Sequence, residues 1–126
     1  MSYAAAVRQY QHASAIGSVE EASPHKLIEM LYAGVLERLA IARGAMERGQ
    51  TEAKLRAVAS ALEIVEHLRL SLDMAAGGEI ARNLESLYDY IGRRLLEANV
   101  NNDPAVIDEI AVLTRQLKAG WDAIGH

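Results

Sequence analysis

From Pro24 onward the apolar residues of this chain return every three or four positions. Leu27, Leu31, Val35, Leu39, Ala42 and Met46 fall on one face of a helix. Gly49 ends that run, and Thr51 is placed to cap the next. The second run carries two rows. Leu55, Val58, Leu62, Val65 and Leu72 form one, interrupted by Arg69; Ala57, Ala61, Ile64, Leu68 and Ala75 form the other. A helix with two apolar rows has neighbours on two sides. Ile80, Leu84, Leu87, Ile91 and Leu95 predict a third helix, and Val106, Ile110, Leu113, Leu117, Trp121 and Ile124 a fourth. No period-two alternation marks a strand.

The chain's two prolines, Pro24 and Pro104, follow Ser23 and Asp103. Each pair reads as an N-cap with proline at the first helical position, where the missing N–H costs nothing. Four helices of about 30–35 Å joined by short connections predict an all-α, antiparallel four-helix bundle over residues 23–126. Residues 1–22, rich in Ala, Ser and Gln with Gly17 inside, predict a flexible, mobile N-terminal segment that holds at most a short helix. Gly77-Gly78 lies between two helical patterns and is expected to be the αL turn that ends the second helix. A phosphate loop would follow a strand and carry Lys and Ser/Thr, whereas Glu79 comes next here.

Composition narrows the chemistry. The 126 residues suggest one domain, and 51% hydrophobic with 24% charged residues suffices for a packed core. A net charge of −4 argues against nucleic acid or anionic lipid as a non-specific partner. No apolar run approaches the roughly 20 residues of a membrane span, so no membrane insertion is expected. The N-terminus lacks a basic stretch followed by an apolar run, which argues against a cleaved signal peptide. Cysteine is absent, which removes disulfides, thiolate nucleophiles and Cys-type zinc sites.

The four histidines are His12, His25, His67 and His126, and none belongs to a Glu-x-x-His pair. The di-iron bundle motif therefore fails, and no metal or cofactor is expected. Glu63 with His67 and Asp89 with Arg93 stand at i, i+4, the spacing of solvated surface pairs. Arg93-Arg94 could grip a carboxylate, but a solvated face is the simpler reading. Ser60, Ser71 and Ser86 have no His and Asp at readable spacing, so no enzymatic site is expected. What stands out is apolar surplus: Ile28, Met30, Tyr32, Leu36 and Ile41 lie off the first helix's main stripe, and Tyr88 and Tyr90 flank the third's. A generous core accounts for most of them, and surface left over suits a partner helix.

Two segments, ASPHKLIEMLYAGVLERL (residues 22–39) and SLDMAAGGEIARNLESLYDYIGRRLLEANVNND (residues 71–103), together with the terminal GWDAI, closely resemble the flagellin-secretion chaperones of the FliS family. Many members carry an acid where this chain has Ala33. The resemblance implies a non-enzymatic, cytoplasmic export chaperone, monomeric or weakly dimeric when free. It would bind the C-terminal segment of flagellin, prevent premature polymerisation and deliver the subunit to the flagellar export-gate protein. A self-associating helical module without a flagellin ligand is the alternative. Ile64 and Leu68 on the second helix, with Leu84, Tyr88 and Ile91 on the third, are the candidate groove lining, not separable from core by pattern alone. Tyr3, Val7 and Tyr10 share one face if their segment is helical. By resemblance, Val7 and Tyr10 stand where the family docks on the export gate, or where the segment covers the groove in the free state.

Overall fold

The computed structural model describes residues 23–124. They form α1 (Pro24–Glu47), α2 (Thr51–Leu70), α3 (Met74–Asn101) and α4 (Pro104–Ala123), with no strand among the described residues. α1 packs against α2 and α4, and α3 packs against the same two, so the helices close a ring with α1 diagonal to α3. This is the expected all-α four-helix bundle. Tyr3, Val7 and Tyr10 lie outside the described residues, as does the rest of the expected N-terminal arm.

The caps follow from side-chain chemistry. The Ser23 hydroxyl accepts from the Lys26 amide at 3.1 Å, and Pro24 opens α1. Asp103 accepts from the Ala105 amide at 3.0 Å ahead of Pro104. Gly49, at φ 67°, turns the chain after α1. The residue in the cap position of α2 is Gln50, not Thr51, which is already the first helical residue.

The α2–α3 corner departs from expectation. The chain turns at Ser71–Asp73, and Asp73 caps α3 by accepting from the Ala76 amide at 2.9 Å. Leu72 is therefore a corner residue and Ala75 belongs to α3, so neither extends the rows of α2. Gly78 does break a helix with positive φ, but at φ 54° and ψ −129° it lies outside αL, and the break kinks α3 after a single turn.

Connection length explains the kink. Leu62 lies opposite Gly92, and Arg69 reaches Glu85, so the end of α2 stands level with Leu84. A straight α3 would carry Met74 about 15 Å past that level and about 9 Å sideways. The backbone from Leu70 to Met74 reaches only about 14 Å. Bending at Gly78 brings the first turn back within reach. Gly77 completes the bend, because a Cβ there would stand 2.6 Å from that of Ala81.

The core is one cluster drawn from all four helices, with Tyr32, Val35, Leu39, Val65, Leu68, Tyr88, Ile91, Leu95, Ile107 and Ile110 at its centre. A smaller cluster of Ala42, Ala57 and Val58 lets α1 and α2 approach closely.

Two glycines should answer oppositely to alanine. Gly78→Ala forces a side chain into a glycine-only conformation and should destabilise by about 1–3 kcal/mol. Gly120→Ala, in α4 with nothing within 4 Å of the added Cβ, should stabilise by about 0.5–1 kcal/mol. Urea titrations of both variants check this; equal losses at the two sites would contradict the backbone account.

Candidate functional site

The five candidate groove residues all lie on or against the core. Leu68, Tyr88 and Ile91 are buried, while Ile64 and Leu84 are half-buried and pack against the same cluster. Tyr32 and Tyr88 meet at its centre with 2.6 Å between their hydroxyl oxygens, each residue only 3% exposed. Burial pushes both phenols above their ordinary range; the shared bond raises Tyr88 further and opposes the rise at Tyr32. Both remain neutral hydroxyls, and each supplies the other's buried polar group with a partner.

Surface apolar area lies elsewhere. On α2, Leu55 and Leu62 stand at i, i+7, hence on one side. On α3, Gly92, Leu96 and Val100 follow at i, i+4, i+8. Two contacts bring these rows together: Leu62 opposes Gly92, and Lys54 donates to the Asn99 carbonyl at 3.2 Å. The result is an apolar strip along the outer α2/α3 seam, with Leu55 46%, Leu96 52% and Val100 81% exposed. Gly92 deepens the strip by leaving Leu62 uncovered by a side chain. Below it the seam becomes ionic, through Glu66–Arg69–Glu85 and Asp89–Arg93. A second apolar group, Leu70, Met74, Ile80 and Ile124, is exposed around the kinked corner and the end of α4.

The inward expectation therefore fails for Leu55 and Ile80, which face solvent, and for Ile124, which is exposed as the C-cap of α4. The off-stripe residues of α1 divide: Tyr32 is core, Ile28 packs against it, and Ile41 is exposed. Asp89–Arg93 is the expected solvated pair at 3.0 Å. Arg94 is engaged with Glu97 and Glu109. His67 departs from the solvated reading: it is half-buried, and burial pushes its imidazole down to about 3, so it is neutral near pH 7.

Two polar assemblies were not anticipated. Adjacent acids near the start of α4 grip arginines of different helices. Asp108 accepts from Nε and Nη2 of Arg43 in α1 at 2.6 and 3.0 Å, and Glu109 accepts from Nε and Nη2 of Arg94 in α3, each at 3.0 Å. Tyr90 also donates to Glu109, at 2.8 Å. The paired guanidiniums hold both carboxyls below the usual range. At the other end, His25 and Trp121 stack with ring centroids 4.8 Å apart. The Trp121 indole N–H donates to the His25 carbonyl at 2.9 Å, and His25 Nε2 lies 2.9 Å from the Trp121 carbonyl. This clasp joins the PHKL and GWDAI segments.

Among the described residues, no group of three or more His, Cys, Asp or Glu is placed to hold a metal ion. No described helix is long and apolar enough to cross a membrane.

The described residues thus form a four-helix bundle that exposes leucine and valine along one seam. The model of the family described as flagellar protein FliS matches residues 4–126. A Pseudomonas aeruginosa protein named flagellar secretion chaperone FliSB is 48% identical over 121 residues, 96% of each chain. The flagellar secretion chaperone FliS of Salmonella typhimurium is 42% identical over 98% of this chain and 93% of its own. That of Vibrio cholerae is 38% identical over 94% of this chain and 87% of its own. The chain belongs to the FliS family of flagellar secretion chaperones.

Removing one hydroxyl of the buried pair strands the other. Tyr32→Phe or Tyr88→Phe alone should destabilise by about 1–3 kcal/mol, and the double variant by less than the sum. A thermodynamic double-mutant cycle measures this; strict additivity would mean the bond contributes nothing.

Proposed function

We propose that this chain is a cytoplasmic export chaperone for flagellin. It takes the C-terminal segment of newly made flagellin as one-to-one cargo, prevents premature polymerisation and presents the subunit to the flagellar export-gate protein. The observation that supports this most is the exposed α2/α3 strip in a member of a secretion-chaperone family. The family resemblance supplies the cargo: a segment disordered in free flagellin and helical in the filament. Such a segment folds most readily against apolar surface, and covering it there hides the face that would polymerise. The chemistry is association alone and requires no cofactor.

Within this reading, Leu55, Leu62, Leu96 and Val100 make the outer contact. Of the groove residues proposed from sequence, Ile64 and Leu84 have accessible surface of their own, whereas Leu68, Tyr88 and Ile91 support the helices from beneath. Val7 and Tyr10 dock the loaded complex on the export gate.

Calorimetric titration with full-length and C-terminally truncated flagellin tests the cargo. Binding should require the C-terminal segment; equal binding of the truncated form would contradict the reading, and no binding accompanied by concentration-dependent self-association would favour a self-associating module. Leu96→Asp should weaken binding roughly 10-fold or more while changing stability little, because the side chain is already exposed. Ile91→Ala should instead cost about 2–5 kcal/mol of stability. Thermal melts beside the titrations separate the two effects.

A further inference from the structure

The way α4 is fastened differs from the way the other three helices are joined. α1 and α3 share the central bond between Tyr32 and Tyr88. α1 and α2 are brought close by Ala42, Ala57 and Val58, and Arg38 donates to Ser60 across their seam at 3.1 Å. α2 and α3 are tied by Lys54, by Leu62 against Gly92, and by Arg69 with Glu85.

Among the described residues, the side-chain hydrogen bonds from α4 to other helices stand only at its two ends. The Asp108–Glu109 pair holds the start, and the Trp121–His25 clasp holds the finish. Between them Thr114 and Lys118 bond within their own helix. The Thr114 hydroxyl donates to the Ile110 carbonyl at 2.8 Å, and Lys118 pairs with Asp122 at 2.7 Å. The middle is held by apolar packing of Ile107, Ile110, Leu113 and Leu117. The connection to α3 is short, with Asn102 in αL and Asp103 as the next cap.

We propose that α4 is the opening element of the bundle: it leaves as a unit from a three-helix body that the tyrosine bond keeps together, and the Asp108–Glu109 clamp sets how often it leaves. A helix whose cross-helix polar bonds stand only at its ends has no such bond in between to be broken separately. Releasing the ends and the apolar stripe is one cooperative event, with a free energy below that of global unfolding. The clamp's carboxylates are exposed to solvent, and its arginines are half-buried. Arg43 holds Glu47 through Nη1 and Arg94 holds Glu97 through Nη1, alongside the clamp, so each arginine keeps a carboxylate on its own helix when α4 departs. Neither guanidinium is therefore left without a counter-charge on release, which limits its cost. Opening uncovers the side of α3 carrying Leu87 and Ile91, which lie seven and three residues before Arg94 and so face the same way. The inference rests on the fold and stands whether or not flagellin is the cargo.

Native-state hydrogen exchange on the full chain, resolved by residue, tests it. In the wild-type chain the amides of α4 should exchange through an opening that leaves α1 and α2 protected. The Asp108→Asn, Glu109→Gln double variant should speed exchange in α4 roughly 5-fold with α1 and α2 unchanged. The wild-type chain in 1 M NaCl, where charges are screened within about 3 Å, should move the same way and needs no altered sequence. Exchange of all four helices through one common opening would overturn the proposal. So would a double variant, or added salt, that accelerates every helix alike.

Discussion

The bond between the hydroxyls of Tyr32 and Tyr88 crosses the diagonal of the bundle, joining the two helices that are not neighbours in the ring. Two phenols meeting tip to tip at 2.6 Å set how far apart α1 and α3 stand. A shorter pair would leave a void, and a longer one would push the ring open. With that diagonal set, α2 and α4 occupy the two sides. The helices differ in how closely they follow: alanines bring α2 against α1, while α4 is gripped by charges at its start. The outer α2/α3 seam, floored by Gly92, is what remains uncovered once the inner faces are satisfied.

Much of this was legible from local pattern. Ser23-Pro24 and Asp103-Pro104 announced two helix starts because capping is a matter of a few neighbouring residues. Gly49 marked a turn for the same reason. On α4 the stripe was legible at Ile110, Leu113, Leu117 and Trp121 but not at its ends: Ile107, left out of it, is buried, and Ile124, counted in it, is exposed past the end of the helix. On α2 the reading was ambiguous. Two apolar rows cover a wide arc, and periodicity does not say which edge faces solvent, so Leu55 was placed inward although it is exposed. The Gly78 break was visible, but its placement inside α3 depends on how far a short connection can reach between two packed helices. Arg43 with Asp108 and Arg94 with Glu109 join residues far apart in sequence, and nothing local distinguishes them from ordinary surface charges.

The same division runs through the site. Four of the five groove residues chosen from sequence lie on the apolar rows of α2 and α3, and strong periodicity selects core first; Tyr88, which flanks its row, is buried as well. Tyr88 and Ile91 are there to hold the ring, and the surface available to another chain comes from positions at the stripe's edge. Leu62, Leu96 and Val100 are such edge positions. A chaperone for a helical segment needs this arrangement: a rigid interior that keeps its shape, and a shallow apolar seam that offers a folding segment somewhere to bury its own stripe. Membership of the FliS family and the exposed α2/α3 strip are the two observations from which that role is proposed.

The central claim is that cargo lies along the α2/α3 strip, and methyl-resolved NMR of the leucine- and valine-labelled chain reads it directly. On adding a peptide of flagellin's C-terminal segment, the account predicts the largest shifts at the methyls of Leu55, Leu62, Leu96 and Val100, with Val35 and Leu39 in the core little changed. Shifts centred on Val112 of α4 or Leu36 of α1, with the strip unmoved, would contradict it.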